Sequence, residues 1–195
     1  MGREFELKFR CDEASFANLL ADFGDFTPIE METTYYDTVD GRLGVLHWTL
    51  RRRFENGKSV CTLKTPSPDG GRGEWEVEMD SILDAIPELC KLGGPEALIS
   101  LCAGGVSAVC GAKFIRQAKT LEIPGATVEL ALDRGKLLGG GRERALLEVE
   151  VELKEGADSA AVAFAGELAA KYGLVPENRS KYRRALGLAR GENHV

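Results

Sequence analysis

Residues 3–10, Arg-Glu-Phe-Glu-Leu-Lys-Phe-Arg, interleave two chemistries. Glu4, Glu6, Lys8 and Arg10 take one parity and Phe5, Leu7 and Phe9 the other, so a strand here has one apolar and one fully charged face. The device recurs along the chain. Arg51 and Arg53 alternate with Leu50, Arg52 and Phe54, and Arg72, Glu74, Glu76 and Glu78 with Trp75, Val77 and Met79. Glu148, Glu150 and Glu152 alternate with Leu147, Val149, Val151 and Leu153, while Lys64, Arg116, Glu129 and Asp133 lie on further strand-like stretches. Glutamates and aspartates clustered without His or Cys suit a hard cation, Mg2+ or Mn2+. Arginine forks suit phosphate oxygens. Both on one surface imply a metal-bridged polyphosphate.

Two architectures accommodate such faces. A sheet packed on helices could turn its charged side to water, as half-buried strands do by default. Alternatively, a closed eight-stranded barrel could carry its charges in a hydrated lumen and its apolar side chains outside, under helices. Three carboxylates in series on one strand, two arginines on another, and repetition on nearly every strand favour the second, because like charges in series repel unless something lies between them.

The elements that must position these residues follow from periodicity. Phe16, Leu19, Leu20 and Phe23 mark a helix capped by Asp12 and ended by Gly24. Two strands flank the turn Glu55-Asn56-Gly57-Lys58, and residues 81–111 read as a helical insert of two short helices. Three strands follow, with turns at Pro124-Gly125 and Gly139-Gly140-Gly141. A helix capped by Asp158 and ended by Gly173, and a last helix over residues 177–188, complete the chain. The expectation is a single α+β domain over 1–190 with a tail at 191–195. Arg52 should point outward, Trp48 and Trp75 should pack on the outer wall, and Tyr35 and Tyr36 should be buried strand tyrosines.

Bulk properties exclude other classes. The 195 residues carry a net charge of −6, which argues against a general binder of nucleic acid or anionic membrane. Five cysteines without a CxxC pair give neither a disulfide framework nor a zinc site. No signal peptide and no apolar run of bilayer length is visible, so the expected location is the cytoplasm. Nothing in the sequence indicates an oligomeric state.

Glu4-x-Glu6-x-Lys8 resembles the ExExK signature of the CYTH domain, or triphosphate tunnel metalloenzyme, family. The similarity continues in order through TTYYDTVDGRL, LRRRF, TLKTP, RGEWEVEM, LLEVEVELKEGA and NRSKYRRAL, and in texture it is nearest to the bacterial inorganic triphosphatases. The resemblance implies an eight-stranded antiparallel tunnel flanked by helices and metal-dependent hydrolysis of a small-molecule triphosphate. It implies Glu4, Glu6 and Lys8 as catalytic residues, and Glu4, Glu6, Glu148 and Glu150 as holders of Mg2+ or Mn2+. Lys8, Arg51, Arg53, Lys64, Arg116 and Lys181 would bind the triphosphate. Glu76, Asp133 and Glu152 would be further lumen residues, with Arg72 and Arg183 at the mouth. Class IV adenylyl cyclases, thiamine or nucleoside triphosphatases and RNA 5′-triphosphatases share the fold, and a non-catalytic polyphosphate binder is a third class. Many bacterial relatives add a helical, His-rich domain; with only His47 and His194 before Val195, a role tied to that domain is not expected here.

Overall fold

The computed structural model describes residues 5–66 and 72–192, so Glu4 and the side chain of Arg72 lie outside the described residues. In chain order the elements are β1 (Glu6–Arg10), α1 (Glu13–Phe23), β2 (Thr27–Thr38), α2 (Arg42–Val45), β3 (Thr49–Glu55), β4 (Lys58–Pro66), β5 (Arg72–Glu78), α3 (Ile82–Lys91) and α4 (Ala97–Leu101). They continue with β6 (Val106–Ile123), β7 (Ala126–Gly139), β8 (Arg142–Gly156), α5 (Asp158–Tyr172), β9 (Val175–Pro176) and α6 (Lys181–Arg190).

The strands form one antiparallel sheet in the order β5-β4-β3-β2-β6-β7-β8-β1-β9. This corrects the closed eight-stranded barrel expected from the sequence. Among the described residues there are nine strands, and the two edges, β5 and β9, do not pair with each other. The sheet nevertheless curls, because a single cavity is lined by side chains from every strand between β1 and β8. Alternation dictates the faces but not the closure, which requires a pairing between the first and last strands.

The apolar parity is packed outside, under helices. Phe9, Val128, Leu130, Leu132, Val149 and Val151 meet Phe16 and Leu19 of α1 and Ala161, Ala165 and Leu168 of α5. Leu50, Cys61 and Leu63 meet Ile86 and Leu89 of α3 and Leu98 of α4, with Trp48 and Trp75 at the margin. Arg52 donates to the Asp80 carbonyl at 3.1 Å, on the side opposite Arg51 and Arg53. The Asp12 cap accepts from the Ser15 N–H, and Gly24 and Gly173 end their helices. Two boundaries differ from expectation. Residues 106–111, expected in the helical insert, are the start of β6, and α5 is capped by Ala157 with Asp158 already its first residue. All five cysteines are free, and no helix among the described residues is long and apolar enough to cross a membrane.

A third cluster sits on the inner face itself. Following the charged parity along three strands, Arg116 gives way to Phe114 and Ala112, Asp133 to Leu137 beyond Gly135, and Glu148 to Leu146. These apolar residues receive Ala185 and Leu188 of α6. Helix α6 therefore stops one end of the cavity, and the inner face changes from charged to apolar where it does so. The fit is tight at Gly139, where an added Cβ would lie 2.4 Å from the Ala185 carbonyl oxygen and 2.7 Å from the Ala189 nitrogen. Gly139→Ala should lower the free energy of unfolding by about 1–3 kcal/mol, the usual range for overpacking, as measured by urea denaturation.

Candidate active site

The cavity has a volume of about 620 Å3. Among the described residues, seven cationic side chains line it: Lys8, Arg51, Arg53, Lys64, Arg116, Lys154 and Lys181. Seven carboxylates do so too: Glu6, Glu55, Glu74, Glu76, Glu129, Glu150 and Glu152. The described part of the lining thus carries no formal net charge.

Register explains who meets whom. The β3–β4 turn uses Asn56 and Gly57 at φ 46° and 88°, the left-handed pair that a tight hairpin turn needs. It fixes Arg51 opposite Thr62 and Thr49 opposite Lys64, and β5 then sets Glu74 opposite Lys64 and Glu76 opposite Thr62. Lys64 reaches Glu74 at 3.1 Å, Arg53 reaches Glu55 at 3.0 Å, and Arg51 stands 3.7 Å from Glu76 and 3.8 Å from Glu74. On the other side, Glu6 opposes Glu152 and Lys8 opposes Glu150. Lys8 donates to Glu6 at 2.8 Å, and Lys154 bridges Glu152 at 2.8 Å and Glu129 at 3.7 Å.

At the stopped end the pairs are denser. Lys181, the first residue of α6, bonds Glu148, Asp133 at 2.8 Å and Glu150 at 2.6 Å. Arg116 holds Asp133 through two parallel bonds of 2.8 Å and also bonds Glu150, and Arg184 bonds Glu148. Asp133 and Glu148 have no exposed surface. Burial acts against a charged Lys181, but Asp133, Glu150 and Glu148 outweigh it and hold the ammonium well above its ordinary range. Burial pushes Glu148 up to about 7 against the pull of Lys181. In Glu150 burial acts the same way but is outweighed by Lys181 and Arg116, which draw its carboxyl well below the usual carboxylate range.

The arginines of β3 are less well served. Burial, and after it the neighbouring Arg51 charge, pull Arg53 below the ordinary guanidinium range. The Nε of Arg51 is buried and has no hydrogen-bond partner among the described residues, as is also true of Arg184 Nε behind the lining, whereas Arg53 Nε is ion-paired with Glu55 at 3.0 Å without hydrogen-bond geometry. A buried donor left unpaired costs about 1–3 kcal/mol, so Arg51 is poised for an acceptor inside the cavity.

Of the residues singled out from sequence, Glu6, Lys8, Arg51, Arg53, Lys64, Glu76, Arg116, Glu150, Glu152 and Lys181 line the cavity. Asp133 and Glu148 lie behind the lining, held by Lys181, Arg116 and Arg184. Arg183 is exposed on α6 and does not line the cavity. Glu4 and the Arg72 side chain lie outside the described residues. Lys154 and Arg184 were not anticipated, although both have signals: Lys154 continues the parity of Glu152, and Arg184 is three residues from Lys181 on one helix face. Tyr35 lines the cavity with its ring 5.0 Å from that of Tyr182, whereas Tyr36 packs in the outer cluster.

The donor set fits a hard divalent cation, being all carboxylate oxygen without His or Cys in the described lining. Asp133, Glu148 and Glu150 offer oxygens within 4.8 Å of one another, but Lys181 occupies the space between them. Glu6, Glu150 and Glu152 face the cavity as opposite and diagonal neighbours on β1 and β8.

The CYTH domain profile matches residues 2–186. An inorganic triphosphatase of Haemophilus influenzae is 28% identical over 163 residues, covering 80% of this chain and 46% of the relative, so the chain spans about half that protein's length. A structure from Hippeastrum, of an adenylyl cyclase candidate with a dominant triphosphatase activity, superimposes with a TM-score of 0.66 at 19% identity over 100% of this chain and 98% of that one. An adenylate cyclase candidate from Bacillus halodurans gives 0.64 at 20% identity, covering 94% and 98%. At these identities the two structures speak for the fold alone.

Proposed function

The chain belongs to the CYTH domain family, and from that premise we propose that its cavity binds a metal-complexed inorganic triphosphate and hydrolyses it to orthophosphate and diphosphate. The observation that carries this reading is the convergence of Arg51, Arg53, Lys8, Lys64 and Arg116 with Glu6, Glu150 and Glu152 in one cavity, where Arg51 Nε is buried without a hydrogen-bond partner among the described residues. The likeness to an inorganic triphosphatase supports the choice of substrate.

The balanced lining explains why a metal is needed. A triphosphate alone meets as many carboxylates as cations, so most of the attraction of the cations is already spent within the protein. Glu6, Glu150 and Glu152, with Glu4 beside Glu6 in sequence, would hold the divalent cation. The cation held there would supply charge neutralisation for the phosphates and activation of a water. The chain's own residues do the positioning that phosphoryl transfer chiefly requires. Arg51, Arg53 and Lys64, from two adjacent strands, would take phosphate oxygens from one side; Lys8, Arg116 and Lys181 would take them from the other. As each cation turns to phosphate, its carboxylate is released, and a lining carboxylate that does not hold the divalent cation can orient a water and accept its proton. That water's oxygen bonds to the terminal phosphorus while the bond to the bridging oxygen breaks, and diphosphate leaves under the cations.

Product analysis tests the proposal. Inorganic tripolyphosphate with Mg2+ or Mn2+ should yield orthophosphate and diphosphate in equal amounts. Cyclic AMP and diphosphate from ATP, with nothing released from tripolyphosphate, would transfer the site to the cyclase branch.

A further inference from the structure

Glu177 is a buried carboxylate that the mechanism does not use, with a side chain only 4% exposed. It lies in the link between β9 and α6 and gathers three N–H donors from one residue. Its Oε1 accepts from the Arg179 backbone N–H at 3.0 Å and from Arg179 Nε at 3.0 Å, and its Oε2 accepts from Arg179 Nη2 at 2.9 Å. Arg10 of β1 stands 3.5 Å from Oε2. The Glu177 N–H donates to the Lys8 carbonyl at 2.9 Å, so one end of the link is tied to a strand residue whose side chain lines the cavity. At the other end Ser180 caps α6, and the next residue is Lys181. Two parallel guanidinium–carboxylate bonds fix orientation as well as distance. A four-residue link that would otherwise be free to rearrange is thereby held in one shape.

We propose that Glu177, clamped by Arg179, is a positioning residue that sets Lys181 against Asp133, Glu148 and Glu150 and so aims it for the triphosphate; this rests on the function proposed above. Burial of a carboxylate is costly unless it is fully bonded, and here the bonds serve the path from Lys8 to Lys181. The clamp lies outside the cavity lining, and so does its partner Arg179. Arg51, Arg53 and Lys64 stand on β3 and β4, whereas the link is tied to β1. Loosening it should leave substrate docking largely intact and misplace only the cation from α6.

Two measurements on Glu177→Gln and Arg179→Gln test this. First, kcat for Mg2+–tripolyphosphate, expressed per folded molecule by circular dichroism at the assay temperature, should fall about tenfold while KM changes little, as expected for a misplaced group. Second, the side-chain ammonium 15N–1H resonance of Lys181, held by three carboxylates, should shift in both variants while amide resonances of α1 and α3 stay in place. A lower melting temperature with kcat and the Lys181 resonance unchanged would overturn the proposal and make the clamp a stabilising contact only. If the wild-type protein releases no orthophosphate, the functional reading fails, and the resonance still decides whether Glu177 positions Lys181.

Discussion

Lys181→Met should lower the free energy of unfolding by about 3–5 kcal/mol, the range for removing one partner from a buried ion cluster. Asp133 and Glu148 have no exposed surface and Glu150 very little, and all three are bonded by this one ammonium. Arg116 and Arg184 would remain, leaving three sequestered carboxylates with two cations. The loss should appear as a lower midpoint in urea with an unchanged slope. Lys58→Met provides the contrast: Lys58 and Glu78 are mostly exposed, and breaking that pair should cost under ~1 kcal/mol. Equal effects at the two sites would mean that the interior cluster is as well hydrated as the surface.

Glu6→Ala should reduce metal-dependent release of orthophosphate by about a hundredfold or more, on the scale of removing a group that stabilises transition-state charge. Glu6 lies opposite Glu152 on the cavity face, and its oxygen currently accepts from Lys8 at 2.8 Å. The substitution removes both a metal-holding oxygen and the carboxylate that Lys8 must leave when phosphate arrives. Raising Mg2+ should recover part of the rate if weakened metal binding is the main defect. Steady-state rates over a Mg2+ series measure this, and full activity at saturating Mg2+ would remove Glu6 from the site.

Much of this arrangement was legible in the sequence because strand alternation is a strict code. Once Glu6, Arg51, Glu76, Arg116 and Glu150 are placed on strands, parity assigns them to one face. The outer packing of Trp48 and Trp75, the outward turn of Arg52 and the Asn56-Gly57 hairpin followed from equally local rules. What parity does not encode is what stands opposite a face. Leu137 and Leu146 share the parity of Asp133 and Glu148, and only the arrival of α6 makes apolar residues appropriate there. For the same reason Glu148 read as a lumen residue, whereas Lys181 and Arg184 seal it behind the lining. Closure was illegible because β5 and β9 alternate or end identically whether or not they find a partner. The start of β6 at Val106 was hidden by the small residues Ser107, Ala108 and Gly111, which carry little strand periodicity.

In this mechanism the cations and carboxylates paired within the cavity exchange those partners for triphosphate and a divalent metal. Orthophosphate release from inorganic tripolyphosphate, compared in Mg2+ and in EDTA, tests it most directly. Turnover is expected with Mg2+, and none above background in EDTA. Turnover of equal rate in EDTA, or no turnover with any divalent metal, would contradict it.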